Sequence, residues 1–228
     1  MVASGSDDDT IKVWHLQTGN LIRTLKGHTR DVNSVAIGKD GKTLVSGSED
    51  RTVNVWNLLT GELQQTLLGR AGMIKSVAIS PEGETIVSGG LDHKIKLWNS
   101  EKGELLHTLM GHFQSVNSLA IGPVGKLLAS GSKDRTIKLW NFETGEQLHN
   151  LTGHLDAVNS VKITPNGLTL VSGSNDATIR IWDVNTGNQL GMLPGRSQAV
   201  ESVALSVDGL TLASGGKDSA VKIWQVSL

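Results

Sequence analysis

The 228-residue sequence predicts an all-β protein built from one small antiparallel sheet that is repeated along the chain. All six tryptophans lie 42 residues apart, from Trp14 to Trp224. An aspartate lies six positions before each tryptophan and a serine lies ten positions before it, from Ser4 to Ser214. A constant period in this range indicates one supersecondary unit copied along the chain. We therefore interpret the sequence as a repeat array and not as two independent domains.

Each repeat contains four short extended runs. In the repeat that begins near Leu63, these runs cover 64–67, 74–79, 85–89 and 94–98. Glycine and proline separate them, and both residues favour turns. No stretch of helical periodicity lies between the runs, which argues against a parallel β-α-β fold. Dipeptides typical of tight hairpins recur at equivalent positions, namely Asp40-Gly41, Asn166-Gly167 and Asp208-Gly209.

The composition excludes several classes of protein. The net charge is −1 with acidic and basic residues interspersed, so the sequence lacks the basic surface that nucleic-acid binding requires. The chain has no cysteine, which excludes disulfides and cysteine-ligated metal. No apolar run approaches the roughly 18 residues that span a bilayer. We therefore predict a soluble, cytoplasmic chain with neither nucleic-acid nor membrane partners.

Three Gly-His dipeptides complete the repeated pattern. Gly27-His28, Gly111-His112 and Gly153-His154 are each followed by a Ser-Gly-Ser-x-Asp segment and then by a tryptophan. Over essentially the whole chain, this arrangement resembles the WD-repeat β-propeller family in its bacterial-type tandem form. The resemblance implies a β-propeller of four-stranded antiparallel blades, because a small sheet needs neighbours to cover its faces.

Counting strands gives about six blades, of which the first lacks its inner strand and the last its outer strand. An alternative places residues 20–25 beside residues 200–226 and closes a ring of five blades. We favour six blades in an open or partial ring, as a fragment, since the family usually has seven. We thus predict a single domain over 1–228. Its partial blades are 1–25 and 200–228, and its full blades are 32–67, 74–109, 116–151 and 158–193.

The resemblance also implies a hydrogen-bonded tetrad of histidine, serine, aspartate and tryptophan in each blade. The complete sets are His28/Ser46/Asp50/Trp56, His112/Ser130/Asp134/Trp140 and His154/Ser172/Asp176/Trp182. Two further sets lack the histidine, namely Ser88/Asp92/Trp98 and Ser214/Asp218/Trp224. Arg70 and Arg196 stand at the histidine positions of these two sets, where they could pair with the aspartates as cations that do not titrate near neutrality.

Catalytic and metal-binding interpretations of these residues fit the pattern less well. Serine, histidine and aspartate also form catalytic triads, but a nucleophile site is singular, whereas these sets recur in the chain. One histidine and one aspartate per repeat are too few for a metal site. We therefore predict no catalytic residue, no cofactor and no metal. The acidic cluster Asp7–Asp9 is interpreted as the same turn as Glu49–Arg51.

Apolar residues at loop positions mark a candidate surface for a partner. Loop residues not used by the tetrads vary between repeats, and in three consecutive repeats several of them are apolar. A cluster of this kind favours contact with a protein, although such side chains could also pack between blades. The predicted partner-binding residues are Arg30, Met73, Leu91, Phe113, Lys133, Arg135 and Leu155.

We predict a non-enzymatic scaffold that presents the loops of one propeller face to a protein or peptide partner. A different hypothesis is that the chain belongs to the regulatory propeller region of a larger signalling enzyme, such as a kinase or nucleoside triphosphatase. The family hosts many functions, so the resemblance specifies the fold better than the role. Self-association that completes or closes the ring is a further prediction.

Overall fold

Strands are the regular elements throughout the described chain. The computed structural model describes residues 1–68, 72–123, 126–193 and 198–225. Within these ranges 22 strands form six antiparallel sheets, and none of these residues lies in a helix. A helix long and apolar enough to cross a membrane is accordingly not found there. The all-β prediction is confirmed.

The chain falls into two compact units, and the first comprises Met1–Gly111. It contains three sheets whose strands follow chain order. Sheet 1 consists of β1 (Val2–Gly5), β2 (Thr10–Trp14) and β3 (Leu21–Lys26). Sheet 2 consists of β4 (Val32–Ile37), β5 (Thr43–Ser48), β6 (Thr52–Asn57) and β7 (Leu63–Leu68). Sheet 3 consists of β8 (Ile74–Ile79), β9 (Thr85–Gly90), β10 (Ile95–Asn99) and β11 (Leu105–Leu109).

The second unit, His112–Leu228, has the same internal plan. Sheet 4 consists of β12 (Val116–Ile121), β13 (Leu127–Ser132), β14 (Ile137–Asn141) and β15 (Gln147–Leu151). Sheet 5 consists of β16 (Val158–Ile163), β17 (Thr169–Ser174), β18 (Ile179–Asp183) and β19 (Gln189–Leu193). Sheet 6 consists of β20 (Val200–Leu205), β21 (Thr211–Gly216) and β22 (Val221–Gln225).

The first and last sheets have three strands each, as predicted. In sheet 1, β3 pairs antiparallel with β2, with Leu25 opposite Ile11. Residues 21–26 therefore belong to the first sheet, and the alternative that assigns them to the last sheet is not what the structure has. The assignment of the whole chain to a single domain stays a prediction.

Four of the tryptophans, Trp56, Trp98, Trp182 and Trp224, fill the space between neighbouring sheets of a unit. Trp56 of sheet 2 packs with Ile11 and Val13 of sheet 1. In unit 2, Trp182 of sheet 5 packs with Leu139 of sheet 4 in the same way. Burying an indole removes roughly 150–250 Å² of surface from water, which is worth about 4–6 kcal/mol as an upper estimate. This packing explains why the third strand of sheets 2, 3, 5 and 6 carries a tryptophan.

Polar side chains join the inner strands of neighbouring sheets. In unit 1, Asn33 Nδ2 donates to the carbonyl oxygen of Ile74 at 2.8 Å. The adjacent Ser34 Oγ accepts the backbone N–H of Val77 at 3.1 Å. Asn33 and Ser34 therefore satisfy backbone groups of the next sheet that the strand ladder of that sheet does not reach. Equivalent pairs in unit 2 are Asn117/Ser118 and Asn159/Ser160.

Candidate functional site

The repeated aspartates lie in tight turns between the second and third strand of a full sheet. In sheet 2 the turn places Arg51 in the left-handed region, with φ 72°. Ser48 Oγ accepts the backbone N–H of Asp50 at 3.0 Å, and Arg51 N donates to Ser48 O at 3.2 Å. Asp9 has φ 66° in the equivalent place, so the acidic cluster forms the same kind of turn. These hydrogen bonds hold each aspartate in a defined position beside its sheet.

In sheet 2 the four predicted residues form a continuous hydrogen-bonded network. Trp56 Nε1 lies 2.8 Å from Ser46 Oγ. The same oxygen lies 2.7 Å from His28 Nε2, and His28 Nδ1 lies 2.8 Å from Asp50 Oδ2. The His28 side chain is fully buried, and that of Asp50 is 8% exposed. The structure therefore brings the histidine loop, the turn and two strands of the sheet together.

Sheets 4 and 5 repeat this geometry closely. His112 lies 2.8 Å from both Asp134 and Ser130. In sheet 5, His154 lies 2.8 Å from Asp176 and 2.7 Å from Ser172. The indole nitrogens of Trp140 and Trp182 donate to Ser130 and Ser172, both at 2.9 Å.

The direction of the hydrogen bonds follows from the donors available. The indole Nε1–H donates to the serine oxygen, and an ionised carboxylate can only accept. The histidine Nδ1 must therefore carry the proton that faces the aspartate, and its Nε2 accepts the serine hydroxyl proton. A neutral imidazole satisfies every member of the network in this arrangement, which is what a buried polar group requires.

Hydrogen bonding outweighs burial in setting the acidity of the buried carboxyl groups. Burial alone would raise the pKa of Asp176, but bonds from the Thr178 hydroxyl, a backbone N–H and His154 lower this pKa to about 2. Burial lowers the pKa of His154 below 6.5, and the neighbouring carboxylate only partly offsets this effect. Both shifts favour an ionised aspartate beside a neutral imidazole. The same balance lowers the pKa of the equivalent carboxyl groups of Asp50 and Asp134.

In sheets 3 and 1 a lysine of the strand after the turn pairs with the aspartate. Lys96 Nζ pairs with Asp92 in sheet 3, and Lys12 Nζ pairs with Asp8 at 3.2 Å in sheet 1. The expected partners Arg70 and Arg196 lie outside the described residues. The serine and tryptophan remain bonded in these sheets, with Trp98 Nε1 donating to Ser88 at 3.0 Å. In sheet 6, Trp224 Nε1 donates to Ser214 at 3.2 Å, and Asp218 accepts the backbone N–H of Ala220 at 3.3 Å.

Sequence reasoning missed two partners of the aspartates. One is the lysine four positions downstream, for which the spacing Asp92 to Lys96 is the signal. The other is a threonine two positions downstream, such as Thr52, whose hydroxyl donates to Asp50 at 2.6 Å. The recurring Asp-x-Thr triplet could have identified it. The equivalent threonines are Thr10, Thr136 and Thr178.

The distances alone would also fit a catalytic triad, but the surroundings do not. Ser46, Ser130 and Ser172 each have 0% exposed surface. Each serine oxygen is already bonded to an indole nitrogen on one side and to an imidazole on the other. A substrate carbonyl has no approach to an oxygen enclosed in this way. Among the described residues there is also no group of three or more side chains suited to hold a metal ion.

The predicted partner residues of unit 2 lie on the loops beside these networks. Phe113 is 82% exposed, and its backbone N–H donates to Asp134 at 3.0 Å. Leu155 is 76% exposed, and its N–H bonds Asp176 in the same way at 2.9 Å. Lys133 and Arg135 flank Asp134 in its turn, and both are exposed. The apolar side chains therefore project from loops whose backbone is held by the network.

The predicted partner residues of unit 1 are arranged differently. Leu91 is 43% exposed, and its N–H donates to the carbonyl oxygen of Met73 at 3.0 Å. Met73 is half-buried, whereas Arg30 is exposed, and the two line a common pocket. The structure therefore brings Arg30, Met73 and Leu91 into one neighbourhood of unit 1.

Comparison with protein-family models identifies the family of these repeats. The model described as "WD domain, G-beta repeat" matches most of the chain in six segments, which are 1–15, 19–57, 61–99, 103–141, 145–183 and 187–225. The chain belongs to the WD40 repeat family. The chain thus has six WD40 repeats and six antiparallel sheets, and the predicted β-propeller fold class is confirmed.

Curated WD40 proteins are similar over about one repeat. The Lissencephaly-1 homolog of Caenorhabditis briggsae is 57% identical over 44 residues, which are 19% of this chain and 11% of that protein. The nuclear distribution protein nudF of Aspergillus flavus is 62% identical over 37 residues, which are 16% of this chain and 8% of that protein. GID complex subunit 7 of Schizosaccharomyces pombe is 54% identical over 35 residues, which are 15% of this chain and 7% of that protein. The aligned segments thus span about a tenth of the length of these relatives.

Proposed function

We propose that this WD40 chain is a non-enzymatic scaffold that binds protein or peptide partners through the loops beside its tetrads. In this proposal the tetrads serve architecture, and the exposed loop residues provide the recognition. The single observation that carries it is that the tetrad side chains of sheets 2, 4 and 5 satisfy one another inside their own sheets. The apolar side chains that vary between repeats, such as Phe113 and Leu155, lie outside in solvent. The hypothesis of a regulatory region in a signalling enzyme stays a prediction.

The loops of unit 2 supply the apolar part of the proposed interface. An aromatic ring that is 82% exposed loses a large hydrated surface when a partner covers it, which is the behaviour of a binding hot spot. Because Asp134 already holds the backbone of Phe113, little further ordering is needed on binding. Lys133 and Arg135 add positive charge next to the ring. We expect a partner segment that combines apolar and acidic residues.

The relatives' names support a role in assemblies. One relative is named as a complex subunit and another as a nuclear distribution protein. With so short a similarity, these roles come to this chain only as part of the proposal. We also propose a cytoplasmic location, which the absence of cysteine favours.

A second part of the proposal is self-association through β22. In sheets 1, 2 and 4 the residues equivalent to Val221 are Ile11, Val53 and Ile137, and each is at most 1% exposed and packed against the following sheet of its unit. Val221 itself is 73% exposed and Ile223 is 59% exposed. Among the described residues no strand pairs with the outer side of β22. An unpaired edge with exposed apolar residues favours the addition of another strand, which a second copy of the chain could supply.

The experiment that tests the loop interface is affinity capture from the source lysate with a double variant, Leu91→Ser with Phe113→Ser. We expect the variant to lose the partner that the unaltered chain captures, and to keep its circular dichroism and its tryptophan fluorescence. The matched control is Leu59→Ser with Leu148→Ser, since these leucines are 50% and 45% exposed but lie away from the tetrad loops. Unchanged capture by the Leu91/Phe113 variant would refute the proposal.

A further inference from the structure

A pocket in unit 1 combines two arginines with one apolar side chain, that of Met73. Its volume is about 260 Å³. It opens between the histidine loop and the aspartate turn of sheet 2, and a residue from the start of sheet 3 closes one side. The lining residues are Thr29, Arg30, Glu49, Asp50, Arg51 and Met73.

Hydrogen bonds join the two loops that carry the arginines. Ser48 Oγ donates to the carbonyl oxygen of Arg30 at 2.9 Å. The backbone N–H of Glu49 donates to Asp31 O at 3.0 Å. Arg51 occupies the left-handed position of the same turn, so its backbone direction is also defined. Both guanidinium groups thus extend from backbone that is already ordered, which reduces the entropic cost of binding a ligand.

The acidic groups of the pocket are already occupied. Glu49 forms an ion pair with Lys75 at 3.2 Å. The Asp50 carboxylate accepts hydrogen bonds from His28, Thr29 and Thr52.

The arginines, in contrast, keep their charge available. Within the described part of the chain, neither Arg30 nor Arg51 takes part in an ion pair. Their guanidinium donors are therefore free for a ligand, and a planar guanidinium matches a carboxylate with two parallel hydrogen bonds.

The two arginines occur together in only one repeat. None of the positions equivalent to Arg30 in the other repeats holds a basic residue. Among the positions equivalent to Arg51, only Arg135 is another arginine, and the residue at the Arg30 position of its repeat is Gln114. A structural requirement of the repeat would place the same charges in every sheet. The equivalent pairs in sheets 3 to 6 are Gly72/His93, Gln114/Arg135, Asp156/Ala177 and Gln198/Ser219.

We propose that this pocket binds the carboxylate of an acidic side chain from a protein partner. Arg30 and Arg51 hold the carboxylate, and Met73 packs against the methylene groups that carry it. The inference rests on the proposed scaffold function and assigns the chemistry of one of its contacts. An aspartate or glutamate that follows an apolar residue in an extended partner segment fits the arrangement best.

The test is fluorescence anisotropy with a labelled peptide of alternating glutamate and leucine, and with its glutamine and leucine counterpart. We expect the unaltered chain to bind the glutamate peptide at least about tenfold more tightly than the glutamine peptide. Arg30→Gln with Arg51→Gln should remove this preference. The control with the same loss of charge is Lys39→Gln with Lys42→Gln, which alters exposed residues at the opposite end of sheet 2 and should keep the preference.

The proposal is overturned if the glutamate peptide does not bind preferentially, if the arginine variant keeps the preference, or if the lysine control loses it equally. A phosphoserine peptide that competes better than the glutamate peptide would replace the carboxylate with a phosphate ligand and overturn it as well. The Leu91/Phe113 capture experiment is independent of this assay, so failure of the scaffold proposal and failure of the anion pocket are distinguishable.

Discussion

At the scale of single residues, each tetrad serine satisfies two buried groups at once. Ser172 Oγ accepts the Trp182 indole N–H and lies against the imidazole of His154. A hydroxyl is suited to this place because it both accepts and donates. The geometry resembles a triad in its distances, yet the second bond to the indole and the complete burial give the serine a structural task.

We expect Ser172→Ala to lower the free energy of unfolding by about 1–3 kcal/mol, because it leaves a buried indole N–H without an acceptor. Urea denaturation followed by tryptophan fluorescence measures the change. The control is Ser4→Ala, which removes the equivalent bond to Trp14 at 3.2 Å in sheet 1, where both residues are accessible to water. Equal losses in the two variants would contradict the role assigned to burial.

Acid should weaken the fold through the same network. The pKa of His154 is lowered below 6.5 in the folded chain, so its contribution to stability is present above pH 6.5 and is lost as the pH falls through the folded pKa. The lowered pKa of Asp176 acts in the same direction in a lower range, from 3.8 down to about 2. His154→Gln should flatten the pH dependence below pH 6.5, measured as urea midpoints. A slope as steep as that of the unaltered chain would count against this linkage.

At the scale of strands and sheets, side chains of one inner strand complete the backbone bonding of the next. Asn33 and Ser34 extend the contact between sheets 2 and 3 beyond apolar packing. Lys75 stands at the asparagine position of sheet 3 and turns instead to Glu49. The polar junction therefore differs from sheet to sheet although the strands are alike.

We expect Ser34→Ala to weaken this junction, which hydrogen exchange can measure. The Val77 amide loses its acceptor, and we expect its exchange to accelerate by about tenfold, which corresponds to about 1.4 kcal/mol. Exchange resolved by NMR at single amides measures the effect. The Val45 amide, which lies in β5 among fully buried residues, serves as an internal control and should keep its protection. Unaltered exchange at Val77 would show that the serine bond does not stabilise the junction.

At the scale of the whole molecule, β22 distinguishes the last sheet from the full ones. Its apolar residues Val221 and Ile223 are exposed, whereas the equivalent Val53 and Val55 of sheet 2 are buried against sheet 3. A pocket of about 580 Å³ beside it is lined by apolar side chains that include Leu193, Leu212 and Trp224. Self-association through this edge would cover that surface.

We expect Val221→Lys with Ile223→Lys to lower the average mass in solution, because charges on an edge strand oppose the addition of another strand. Light scattering over a range of concentrations measures the mass. The control is Val207→Lys, since Val207 is 95% exposed in a hairpin away from this edge. A monomeric mass for the unaltered chain at every concentration would exclude self-association.

Sequence alone determined the repeat, the strands and the members of the complete tetrads. A period of 42 residues places the same side chain at the same point of every sheet, so one repeat predicts the others. Burial of an indole then requires an acceptor, which makes a serine at a fixed distance informative.

Only the tertiary structure decided which partner an aspartate takes without a histidine, and which loop residues are exposed. Lys96 reaches Asp92 because the strand after the turn brings its amine back to the carboxylate. Phe113 lies in solvent while Met73 is half-buried, although both were expected to bind a partner. Exposure depends on how neighbouring loops pack, and that packing is set by contacts between residues far apart in the chain. A local repeat pattern does not contain this information.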